Sequence, residues 1–140
     1  MESKLIFYPV IIQIILTFIV YTFLPIVKKR ALENGQVDLT RRALHSDAWP
    51  DNVIKISNNV KNQFESPVLF YALCFMLWAL NIVSLLSLVV AGGYVLLRMV
   101  HAFVHTGSNV IEIRKKVFMA STLLLMFLCG IVLKGLWLAS

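Results

Sequence analysis

Acidic residues are scarce in this chain. Asp and Glu together number 7, and all charged residues make up 14% of the 140, where an ordinary soluble domain carries about 25%. That scarcity, with 59% hydrophobic residues, excludes a water-soluble domain and a disordered chain alike. Cysteine is nearly absent. Cys74 and Cys129 each lie inside an apolar run with no CxxC spacing and no histidine neighbour, which excludes a disulfide scaffold and a zinc site and leaves them as small core residues. No internal repeat or low-complexity stretch is visible, and 6 glycines and 4 prolines exclude a collagen-like chain. What is abundant is long hydrophobic runs. The length fits one domain, 1–140, of up to four spanning helices, since each crossing takes about 20 mostly apolar residues.

The runs predict an all-α integral membrane protein, a four-transmembrane-helix bundle with helices at about 5–27, 53–81, 84–105 and 114–138. The first run is interrupted only by Gln13 and a few Thr, Tyr and Pro, and ends at Lys28, Lys29 and Arg30. It lacks the short apolar core and small-residue cleavage site of a signal peptide, so it is expected to be retained. Glu33-Asn34-Gly35-Gln36 reads as a turn. Pro50 followed by Asp51 fits the start of the second helix, with Trp49 at the water–lipid boundary. Asn81 and Ser84 mark a short uncharged turn before the third helix. Lys134, near the end of the fourth, is long enough to snorkel to the headgroups.

The two loops that follow the first and third helices carry ten of the thirteen basic residues. The positive-inside rule therefore places both in the cytoplasm and both termini outside. The net charge of +6 then reflects topology rather than affinity for nucleic acid, which is not expected as a partner.

Some polar residues do not belong in lipid. Arg98, His101 and His105 recur at i, i+3 and i+7, so they share one face of the third helix. Arg98 lies about 10 Å deeper than His105 at 1.5 Å per residue, and an intramembrane arginine marks a functional site by default. On the second helix Asn58, Asn62 and Glu65 share a face at i, i+4 and i+7, with Glu65 as the expected counter-ion of Arg98. Pro67 removes a helical hydrogen bond and leaves the Gln63 carbonyl without its donor. These groups, with Arg114, are expected to converge on a cytoplasm-facing polar cavity walled by Phe64, Phe70, Tyr71, Phe103 and Phe118. A plain interhelical ion-pair network is the alternative. No metal is expected, because Arg98 beside His101, His105 and Glu65 would repel a cation. His45 reads as solvated.

The run Asn62-Gln63-Phe64-Glu65-Ser66-Pro67-Val68-Leu69-Phe70-Tyr71, with Arg98-Met99-Val100-His101 and the later Arg114, resembles the MAPEG family, the membrane-associated proteins in eicosanoid and glutathione metabolism, in a bacterial-type form. The resemblance implies a homotrimer, in a bacterial inner membrane, with glutathione as co-substrate bound between subunits near the cytoplasmic face. It implies that Asn62 and Glu65 hold the peptide part and amino group of glutathione, and that Arg98 grips a carboxylate or locks the cavity. Arg114 would be the catalytic residue beside the thiol, and Asn58, His101 and His105 would complete the binding set. Three positions depart from the family pattern: Asn58 stands where an arginine is frequent, and His105 and Phe118 where tyrosines are. The implied activity is a glutathione-dependent transferase or peroxidase acting on lipophilic electrophiles or lipid hydroperoxides. The alternatives are a non-catalytic lipid-binding or scaffold protein on the same fold, and a small proton-coupled exporter using Glu65.

Overall fold

A computed structural model describes residues 3–139, and every regular element among them is helical. A short 3-10 turn, Ser3–Ile6, leads into α1, Phe7–Glu33. This helix is apolar on all sides and exposes Ile11, Ile15, Phe18 and Phe23, as suits a helix surrounded by lipid. Pro25 lies within it, and the helix continues through Lys28, Lys29 and Arg30, six residues past the apolar run. It stops where the sequence supplies a C-terminal signal. Gly35 has φ +67°, its N–H donates to Leu32 O, and the Gln36 N–H donates to Ala31 O, the Schellman arrangement that uses up free carbonyls.

Residues 34–50 form an ordered connection. Arg41 pairs with Asp47 at 2.7 Å, and the Trp49 indole donates to Arg42 O while lying under Lys28 Nζ at 4.9 Å. The hydrogen bond from Arg41 holds the Asp47 carboxyl below the usual carboxylate range, and bonds from the Thr40 side chain and backbone do the same for Asp38.

The second helix departs from expectation. In place of one helix over 53–81 there are two, α2 at Asp51–Gln63 and α3 at Ser66–Ala79. Pro50 is the residue before α2 rather than its first turn, with Asp51 leading. The break falls at Phe64 and Glu65, where Glu65 takes φ −95° and ψ −98°. Pro67 has no N–H for the Gln63 carbonyl and its ring crowds that position, so the chain restarts a helix with Pro67 in the first turn.

Asn81, at φ +56°, turns the chain after α3, and Ser84 caps α4, Leu85–Thr106, in a reciprocal box with Ser87. Asn109, at φ +52°, turns it again into α5, Ile111–Ala139. Helices α4 and α5 form the most extensive pair. The apolar core sits toward the start of α4, where Phe70, Cys74, Leu77, Tyr94 and Leu128 are buried. Gly135 lets α5 pass directly over Ile82, whose side chain occupies the space a Cβ would need.

The segments ending at Glu33, Thr106 and Leu138 are each long and apolar enough to cross a membrane. Helix α3, with 14 residues, rises about 21 Å, short of a hydrocarbon layer of about 30 Å.

Candidate functional site

The site begins with a buried polar seam. The Gln13 amide donates to Gln63 Oε1 at 2.9 Å, Gln63 donates to Asn59 Oδ1 at 3.2 Å, and Asn59 donates to Ala102 O at 3.3 Å. This chain joins α1, α2 and α4, and its three side chains are fully buried. The apolar face of α2 runs alongside it. Val53, Ile56 and Val60 mark the inward face of α2 by helical spacing, and Asn59 and Gln63 flank that stripe. Gln63→Leu removes two of the bonds and strands the Gln13 donor. It is expected to destabilise the protein by about 1–2 kcal/mol in thermal unfolding in detergent, with part of the loss restored in the Gln13→Leu, Gln63→Leu double variant.

The same registration places the α4 stripe against the end of α2. Arg98 is fully buried and donates through Nη2 to Asn62 O at 2.8 Å. The helix break explains the acceptor: α2 ends one residue later, so its last carbonyls lack helical donors. Among the described residues Arg98 Nε and Nη1 have no partner, and neither do the buried Nδ1 atoms of His101 and His105. Buried polar atoms of this kind normally have a partner.

Above Arg98 a cleft of about 340 Å³ is lined by Asn62, His101, His105, Ile111, Arg114, Lys115 and Phe118. The His101 ring lies 5.6 Å from that of His105 and 5.7 Å from that of Phe118. Arg114 Nη1 lies 3.4 Å from His105 Nε2 and donates to Asn109 Oδ1 at 2.7 Å. The cleft carries positive charge and no carboxylate, which suits an anionic ligand.

The sequence-based site is thus partly assembled. Arg98, His101, His105, Asn62, Arg114 and Phe118 come together; Asn58 and Glu65 do not. Asn58 is exposed and lines a different cleft with Lys28, Trp49 and Lys61. Glu65 is exposed and makes no ion pair among the described residues. The helix break moves it out of the i+7 register, so it attracts Arg98 only across a longer gap, and the short contact of Arg98 goes to the Asn62 carbonyl. The aromatic wall is also corrected. Phe64 and Tyr71 line a slot against α1, Phe70 is in the core, and Phe103 faces an apolar groove. Asn109 and Lys115 were missed. A left-handed loop asparagine five residues before an arginine leaves little trace in sequence alone.

No curated protein and no solved structure matches this chain. Residues 6–134 match the MAPEG family, and with that coverage the chain belongs to the MAPEG family.

Proposed function

We propose that the cleft binds glutathione and that the protein is a membrane glutathione-dependent transferase or peroxidase for lipophilic electrophiles or lipid hydroperoxides. The observation that carries this reading is the cleft lined by Arg114, His101, His105 and Asn62, with Arg98 bonded to the Asn62 carbonyl behind it and four buried nitrogen atoms left without partners among the described residues. The residues suit the ligand. Glutathione brings carboxylates, amides and a thiol; a guanidinium binds a carboxylate through paired donors, and a fixed cation near sulfur favours the thiolate. Arg98 is assigned to the peptide or carboxylate part, Arg114 to sulfur, and Asn62, His101 and His105 to the remaining polar groups.

Asn58 and Glu65 enter through a second copy of the chain. The Gln13–Gln63 bond sets the end of α2 level with a residue 15 positions before Lys28, about 22 Å along α1. Asn58 and Lys61 share a cleft with Lys28 nearer the surface, while Glu65 is exposed two residues past Gln63. A carboxylate at that depth is not left to lipid, so another subunit covers it, consistent with a homotrimer whose sites lie between subunits and to which Asn58 contributes from nearer the surface. In this reading α2 and α3 together make the remaining crossing, and both termini lie outside the cytoplasm of a bacterial inner membrane. The oily co-substrate arrives through lipid. An apolar groove of about 620 Å³ between α1 and α4, lined by Leu16, Phe23, Met99 and Phe103, opens on the side of α4 away from the histidines.

The test is turnover of a lipophilic aryl halide or a lipid hydroperoxide by protein in detergent. Consumption that requires both glutathione and protein is expected. Glutathione binding with no turnover of either class would favour the lipid-binding or scaffold reading.

A further inference from the structure

The cleft offers few places for a proton to go. Its lining residues include no carboxylate, thiol or phenol. Arg114 and Lys115 are donors with no acceptor, and the Asn62 amide is not a base. Only the two imidazoles can offer a ring-nitrogen lone pair to a proton.

Hydrogen bonding distinguishes them. A guanidinium has donors and no acceptor. The 3.4 Å approach of Arg114 Nη1 to His105 Nε2 therefore makes Nε2 the acceptor and puts the ring proton on Nδ1. The lone pair of His105 is directed at the cation assigned to sulfur. Arg114 is held from its other side by the shorter bond to Asn109 Oδ1, 2.7 Å. Asn109 itself is fixed by its left-handed backbone and by its N–H bond to Val104 O at 2.7 Å. The contact to His105 is thus the longer and weaker of the two that Arg114 makes, and the one a ligand displaces first.

We propose that His105 Nε2 is the proton acceptor for the thiol bound in this cleft, a role that rests on the glutathione reading above. The S–H bond breaks and its electron pair stays on sulfur. A new N–H bond forms at Nε2, leaving an imidazolium protonated on both nitrogens. Arg114 turns its freed N–H from His105 to the thiolate while Asn109 keeps the guanidinium at the cleft. When sulfur then attacks an electrophile, the C–S bond forms and the bond to the leaving group breaks, and the proton on Nε2 passes to a basic leaving group such as an alkoxide, or to water where a halide leaves. No further reactant is needed. The charged and titratable groups facing His105 are Arg98 and His101 on α4 and Arg114 and Lys115 on α5, while α2 contributes only the Asn62 amide. The negative charge that develops on sulfur offsets the positive charge added to the ring.

The experiment mixes the purified full chain in detergent with glutathione in weakly buffered solution, and follows thiolate absorbance together with proton release to an indicator dye. In the wild type, thiolate is expected to appear with far less than one proton released per thiolate. In His105→Gln, whose amide still accepts from Arg114 but takes no proton, thiolate is expected about 10²-fold more slowly, with one proton released for each. A full proton per thiolate in the wild type would overturn the assignment of His105 and leave the glutathione reading intact. That measurement needs no variant, so a folding failure of His105→Gln does not remove it. Absence of both thiolate and glutathione binding in the wild type would overturn the two readings together.

Discussion

Arg114→Ala is expected to leave the bundle folded and to remove most of the thiolate from bound glutathione. Arg114 is half-buried at the start of α5, and its partners, Asn109 Oδ1 and His105 Nε2, face a cleft that admits water once the guanidinium is gone. Its truncation therefore costs little stability. Its effect on sulfur is large by comparison. A free thiol with a pKa of about 8.5 is only a few per cent ionised at pH 7, and the thiolate is the nucleophile. Removing a permanent cation aimed at developing negative charge typically lowers turnover by about 10²–10³-fold. Thiolate absorbance and turnover should fall together, with the glutathione dissociation constant changing less. Arg114→Lys, which keeps the charge and loses the fork, should recover part of the signal. Wild-type thiolate absorbance in Arg114→Ala would contradict the role given to this residue.

The largest effect on stability is expected at Tyr94. It is 1% exposed on α4, its ring stacked on Phe70 of α3 with centroids 4.5 Å apart and planes 19° from parallel, and its hydroxyl lies 3.0 Å from Ser66 Oγ. Tyr94→Ala empties the centre of the core and is expected to cost about 3–5 kcal/mol, seen as a fall in Tm on the order of 10 °C. Tyr94→Phe keeps the stacked ring and removes only the hydroxyl contact, with a loss of about 1 kcal/mol. Equal losses in the two variants would mean that the hydroxyl, not the packing, holds α3 to α4.

The cationic half of the site was legible in the sequence because helical spacing survives folding. Arg98, His101 and His105 keep their common face, and α4 is unbroken between them. The turns at Gly35 and between Asn81 and Ser84 were legible too, since each rests on local backbone chemistry. What failed was the assumption that helical spacing runs through Pro67. That residue ends one helix and starts another, so Glu65 leaves the face it would share with Asn58 and Asn62. The inward polar pair, Asn59 and Gln63, lies beside the residues chosen from the sequence. Choosing between adjacent asparagines requires knowing which side of α2 meets α1, and that is settled by packing with residues some fifty positions away, Gln13 above all.

The central claim is that the cleft between α2, α4 and α5 takes glutathione, and calorimetric titration of glutathione into the purified protein in detergent tests it most directly, with Arg98→Ala and Arg114→Ala alongside. Saturable binding in the wild type that weakens at least about tenfold, roughly 1.4 kcal/mol, in Arg98→Ala is the expected result. No heat of binding at several millimolar glutathione, or binding equally tight in all three proteins, would contradict it.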